Sequence, residues 1–250
     1  MNLGSSILGA ALVILSTGML LIFSRSNKKR SPVHLREIAA VAKLRHFLGA
    51  AMEQGTRIHI GLGRSAIGDP NYGSTLAGLN SLESITRSTL FADQPPASTS
   101  GDGTTSLLGQ DTIKAVYRQE STIDRVPMDS SQLVGVTPFA YAAGTIPVIS
   151  SRDISANILI GHFGVETGFL TDASYTDTTH TLGATDSLPA QAILFNATEN
   201  TLLGEESFAL PAYLEQKLPL LASLMVQDLL RLILIFGMLI GVILILAGVL

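Results

Sequence analysis

The sequence predicts a three-layer, Rossmann-like α/β domain with a mainly parallel sheet, flanked by one transmembrane helix at each end. Three observations carry that prediction. Two runs without ionisable side chains, residues 3–23 and 232–250, stand at the ends of a 250-residue chain. Between them, short apolar segments alternate with longer stretches of helical spacing, and parallel strands need such crossover helices. Glycine-rich turns follow the strand candidates, where open α/β sheets receive ligands. A mixed sheet with one antiparallel edge is the alternative. The organisation read is 1–24 as a transmembrane helix, 25–55 as a basic linker and helix, 56–203 as the α/β domain, 204–227 as a connecting helix and 228–250 as a second transmembrane helix.

Each terminal run is about 30 Å long as a helix, the thickness of a hydrocarbon core. Each is apolar on every face, unlike helices of soluble domains. A signal peptide would carry Lys or Arg before its apolar stretch, and residues 1–6 contain neither. The charges come afterwards: Arg25, Lys28, Lys29, Arg30, Arg36, Lys43 and Arg45, among 16 basic residues in all, are opposed there only by Glu37. Basic residues beside a membrane end stay on the cytoplasmic side. The expectation is a two-pass cell-membrane protein with a cytoplasmic α/β domain and both termini outside. Arg231 precedes the second run, in reach of the interface, with Asp228 one turn earlier.

In the middle of the chain, Pro32 opens a helical pattern through Val33, Ile38, Val41, Ala42, Leu44, Leu48 and Ala51 that ends at Gly55. Residues 57–62, RIHIGL, form a strand candidate, followed by the turn GRSAIGDPNYG and a helix over 74–91. A short strand over 96–100, the turn Gly101-Asp102-Gly103 and a helix over 104–118 repeat that grammar. After a polar break at 121–131 come a strand over 133–137, one or two helical turns over 138–143 and a further strand over 146–149. The strongest strand is 156–161, ANILIG, leading through His162-Phe163-Gly164 into a helical or irregular run to 175. A strand over 179–182 and a helix over 187–196 make the last pair. A short helix over 204–214 precedes a helix that runs from Pro219 into the second span.

Composition excludes several classes of function. The chain has no cysteine, so no disulfide framework, thiolate nucleophile or Cys-ligated zinc site exists. Its net charge of −4, with the basic residues clustered beside the first span, argues against nucleic-acid binding. The Asn196-Ala197-Thr198 sequon is a chance triplet on a cytoplasmic domain.

Candidate site residues come from the turns. Gly61-x-Gly63-x-x-Ala66 matches the looser dinucleotide fingerprint, with Glu83 about 20 residues on. Yet Glu83 falls inside a predicted helix, and Asp69-Pro70 lengthens the loop. There is no Gly-Lys-Ser or Gly-Lys-Thr. Asp102, between Gly101 and Gly103, either holds a metal-bound phosphate, acts as a nucleophile, or caps the next helix, and capping is favoured. Asp186 before Ser187 invites the same readings. His162 and Glu166 stand four apart, so on one helix they would face one side as a metal or acid/base pair. A metal needs a further ligand from His34, His46, His59 or His180, and a turn histidine bonded to backbone carbonyls is the favoured reading. No serine-hydrolase elbow occurs. The ligand-binding candidates are thus Gly61, Gly63, Gly101, Asp102, Gly103, His162, Glu166 and Asp186, with no metal or cofactor assigned.

The short N-terminal anchor together with RIHIGLG, TSGDG, GVTPFAYAAG, ANILIGHFGVE and TDSLPAQAILF resembles an uncharacterised family of bacterial membrane proteins known only as a domain of unknown function. The resemblance covers residues 38–214 and implies no activity, so it transfers no catalytic residues. The functional expectation is a membrane-anchored scaffold or accessory subunit rather than an enzyme, partnered by the lipid bilayer and by copies of itself or other membrane subunits. Gly4, Gly9 and Gly18 in the first span and Gly237, Gly241 and Gly248 in the second offer small-residue positions for helix approach. The alternative is a domain that binds a nucleotide or phosphorylated metabolite, or acts on one, at the membrane surface.

Overall fold

The computed structural model describes residues 3–26, 35–120, 122–175, 179–198 and 200–246. The chain divides into two units, Arg36–Leu214 and the pair of terminal segments Met1–Leu35 and Glu215–Leu250.

The Arg36–Leu214 unit is built on a six-stranded sheet. The strands are β1 (Arg57–Gly63), β2 (Ala97–Ser100), β3 (Ser131–Leu133), β4 (Ile154–His162), β5 (His180–Thr185) and β6 (Thr201–Leu203). Their order is β3-β2-β1-β4-β5-β6 and every neighbouring pair is parallel. Among the described residues the antiparallel edge held as an alternative is therefore absent. Strand alternation divides the core between two faces. Ile58, Ile60 and Leu62 of β1 and Ala156, Ile158 and Ile160 of β4 share one buried cluster with residues of α2 (Ala39–Gln54), α3 (Tyr72–Ser88), α4 (Gly103–Gln119) and α8 (Glu205–Leu214). On the other face Leu159 and Phe163 join Tyr141 of α5 (Pro138–Ile149), Leu170 of α6 (Thr167–Ala173) and Leu194 of α7 (Leu188–Ala197). These are the three layers that the alternation predicts.

Several element bounds differ from the expectation for identifiable reasons. α2 starts at Ala39 because Ile38 is extended, while Pro32 and Val33 lie outside the described residues. It ends as expected at Gly55, whose φ of 66° is left-handed and whose amide closes on Ala51 and Met52 carbonyls. The strand expected over 146–149 is the last turn of α5, since Tyr141, Ala142, Thr145 and Ile149 recur at helical spacing and are buried together. Four apolar residues alone fit either element. β3, Ser131–Leu133, begins inside the expected polar break and shares only Leu133 with the strand expected over 133–137, and β6 was too short to show a pattern.

The other unit contains α1 (Leu3–Ser26) and α9 (Leu218–Leu246), which lie against each other. Two membrane spans were expected. Among the described residues one helix, α9, is long and apolar enough to cross a membrane, whereas the described apolar stretch of α1, Gly9–Arg25, falls short of that length. Lys28, Lys29, Arg30, His34 and Gly248 lie outside the described residues. A Cβ added at Gly9, Gly18, Gly237 or Gly241 would meet nothing within 4 Å, so these glycines do not serve the contact between α1 and α9.

Candidate functional site

β1 lies between β2 and β4, and the strand order reverses there: β2 and β3 follow on one side, β4, β5 and β6 on the other. Crossover helices leave on opposite faces at such a point, which opens a crevice beyond the carboxyl ends of the two central strands. Those ends are Gly63 and His162, which are register partners.

The backbone at this seam requires glycine. Gly63 has a φ of 75°, and a Cβ there would stand 2.6 Å from the His162 carbonyl oxygen. Such a residue would meet both a strained conformation and a clash. The close approach lets the Arg64 amide donate to the His162 carbonyl at 3.2 Å and the Gly101 amide donate to the Gly63 carbonyl at 2.9 Å. Three strand ends are thereby tied together.

Two polar pairs flank the seam. Arg64 Nε donates to Glu166 Oε1 at 2.7 Å, with the carboxylate side chain fully out of solvent and the arginine 22% exposed. The Gly164 amide donates to the same oxygen at 2.9 Å. His162 Nδ1 lies 2.8 Å from Asp186 Oδ1, and its Nε2 lies 3.3 Å from Asn71 Nδ2. With a neutral ring, Nδ1–H donates to Asp186 and Nε2 accepts from the Asn71 amide. The two side chains are 27% and 20% exposed.

Beneath the seam is a buried polar chain. His59 Nδ1 lies 2.7 Å from Asn157 Oδ1, its Nε2 lies 2.9 Å from Thr99 Oγ1, and Thr99 Oγ1 lies 3.3 Å from the Tyr141 hydroxyl. Burial holds His59 well below the ordinary histidine value, at about 4, against the opposing pull of the Asn157 hydrogen bond. The ring is therefore neutral at pH 7, so Nδ1–H donates to Asn157 and Nε2 accepts from Thr99. Burial likewise pushes the Tyr141 hydroxyl up to about 12, opposed by its hydrogen bond to Thr99. Gly61 makes room for this chain, since a Cβ there would stand 3.1 Å from the Tyr141 oxygen.

The structure thus places the eight sequence candidates as follows. Gly63, Gly101, His162 and Glu166 meet at the seam, and Asp186 joins them through His162. Gly61 lies within β1, lower in the strand. Asp102 caps α4, accepting from the Thr105 amide at 2.8 Å, the favoured reading. Gly103 opens that helix and stands apart from the seam contacts, with only Leu133 near its missing Cβ.

Other expectations change. His162 ends β4 while Glu166 precedes α6, so the two do not share a helix face, and each has its own partner. His162 bonds side chains rather than the backbone carbonyls expected of a turn histidine. Asp186 does not cap α7, whose N-terminus has no side-chain cap, because His162 engages it. Glu83 pairs with Arg87 along α3 at 3.1 Å. His180 stacks on Phe47 at the start of β5, the opposite end of that strand from the crevice. Among the described residues no three His, Asp or Glu side chains are grouped to hold a metal ion. Sequence reading missed Arg64, Asn71, Tyr141 and Asn157; the signal available for Arg64 was its place directly after Gly61-Leu62-Gly63.

A surface groove of about 690 Å³ runs between α6 and α7, lined by Thr171, Asp172, Tyr175 and Ile193 among others, and shares no residue with the seam. Comparison with known proteins finds a match to the family model described as Domain of unknown function (DUF6754), over residues 4–250. No curated protein and no solved structure matches.

Proposed function

We propose, from the premise that this chain belongs to the DUF6754 family, that it is a membrane-anchored accessory subunit which joins an oligomer or a larger membrane assembly through its α/β domain. The observation that carries this reading is an apolar rim on the sheet's carboxyl edge. Ile67, Leu107, Val136, Val165 and Leu188, all exposed, sit in the connections or opening helical turns that follow β1 to β5 in order. Phe139 and Phe169, also exposed, meet edge to face with ring centroids 6.0 Å apart. Each such side chain gains about 1.5–3 kcal/mol when fully buried, and exposed apolar side chains gathered in the connections at one edge of a sheet suit a partner contact.

In this reading α1 and α9 are both spans, both termini lie outside, and the basic residues after α1 keep the domain on the cytoplasmic side. Within the crevice Arg64 pairs with Glu166 and His162 with Asp186, which holds these side chains in place at the strand ends. The test is the size of the full chain in lipid nanodiscs and its crosslinking in native membranes. Assembly is expected, and Phe139→Ser combined with Phe169→Ser should reduce it while leaving the thermal midpoint in place. A wild-type chain that is monomeric and crosslinks to nothing would overturn the reading.

A further inference from the structure

The seam is built around one arginine. Arg64 Nε is committed to Glu166 Oε1 at 2.7 Å, and that carboxylate is fully buried and also held by the Gly164 amide. The path of the arginine stem is cleared by glycine: a Cβ at Gly101 would stand 2.5 Å from Arg64 Cγ. The bare Cα of Gly164 faces both partners, since a Cβ there would stand 2.6 Å from Glu166 Oε2 and 3.6 Å from Arg64 Nη2. An ordinary surface ion pair needs no such slot. With Nε spent on Glu166, the two Nη groups point their donors elsewhere, and among the described residues nothing accepts from them.

A further observation points to a ligand. Among the described residues His162 Nε2 is engaged by the long contact to Asn71 at 3.3 Å alone, so on a neutral ring, with Nδ1–H given to Asp186, its lone pair is exchangeable for a better donor. Arg64 directly follows β1 and His162 ends β4, the two neighbouring strands at which the strand order reverses.

We propose that Arg64 anchors an oxyanion site at the β1/β4 seam for the phosphate monoester of a small hydroxylated molecule, with His162 accepting a hydrogen bond from a ligand hydroxyl. The Nη edge of guanidinium presents two parallel donors, a geometry that matches two oxygens of one phosphate, and the carboxylate behind it holds the fork in place. The chemistry is binding, with no bond made or broken. A phosphate monoester reaches this site either as a free metabolite or as a lipid headgroup.

The experiment uses the full chain in phosphatidylcholine nanodiscs, titrated by calorimetry with ribose 5-phosphate, inorganic phosphate and ribose. Ribose 5-phosphate should bind, and ribose alone should not. Arg64→Lys keeps the charge facing Glu166 but loses the fork, and should weaken ribose 5-phosphate and phosphate alike by tenfold or more. His162→Gln, at a partly exposed side chain, should weaken ribose 5-phosphate but leave inorganic phosphate unchanged. A parallel arm with phosphatidic acid in the disc identifies the source: competition with ribose 5-phosphate that disappears in Arg64→Lys assigns the site to the headgroup. The proposal is overturned if no phosphate monoester binds the wild-type chain in either arm. Undiminished binding by Arg64→Lys, or equal losses of ribose 5-phosphate and phosphate in His162→Gln, overturns the roles assigned to those residues.

Discussion

Arg64 and Glu166, 102 positions apart in sequence, meet at 2.7 Å with very different access to solvent. The arginine is 22% exposed, whereas the carboxylate is wholly buried. The pair therefore responds asymmetrically to truncation. Arg64→Met leaves a charged carboxylate in the interior, which costs on the order of 3 kcal/mol. Glu166→Gln leaves an arginine that turns toward water, and costs on the order of 1 kcal/mol. Chemical denaturation of the two variants beside the wild type measures the difference, and equal losses would show that the carboxylate is not as enclosed as the geometry states.

His59 predicts a limb in the acid stability of the domain. Its folded value is held near 4 by burial, below the ordinary 6.5. The unfolded chain therefore takes up this proton first as pH falls, and stability drops from about pH 6.5 down to about pH 4, then levels. Above that window the group contributes nothing. The full drop is on the order of 3 kcal/mol. His59→Gln removes this titration, so the gap between wild type and variant in denaturation midpoint should shift with pH inside the window and stay constant above it.

Much of the fold was legible because burial leaves a periodic trace. β1, β2 and β4 are near-continuous buried runs, as strands covered on both faces must be, and the helices between them repeat at three- and four-residue steps. Where the pattern was too short it failed: Thr201–Leu203 is three residues, and 146–149 fits a strand as well as a helical turn. The glycine turns were legible as candidates because only bare backbone permits such close approach. Their partners were not. Arg64 finds Glu166 and His162 finds Asp186 only because the sheet order sets β1 beside β4 and β4 beside β5, and no local spacing encodes that order.

Gly78 and Gly49 make a matched test of packing against helix propensity. Both lie inside helices, where alanine is ordinarily better by about 1 kcal/mol. At Gly49 an added Cβ meets nothing within 4 Å, so Gly49→Ala should stabilise by about that amount. At Gly78 the Cβ would stand 2.7 Å from the Ile160 carbonyl oxygen of β4. Gly78→Ala should therefore destabilise by on the order of 2 kcal/mol, as α3 is pushed off the central strand. Thermal midpoints moving in opposite directions check both.

The sidedness proposed for the domain is open to a direct chemical test because the chain has no cysteine. Met128 lies in the connection between α4 and β3 and is 92% exposed, so Met128→Cys introduces a single reactive thiol without disturbing a packed side chain. If the basic residues after α1 hold the domain inside, a membrane-impermeant maleimide should leave this thiol unlabelled in intact cells and label it fully after lysis. A thiol placed at the N-terminus ahead of the apolar run, at Asn2, should show the reverse, labelling in intact cells. Labelling of Met128→Cys before lysis would invert the orientation, and labelling of neither position in intact cells would leave α9 as the only span.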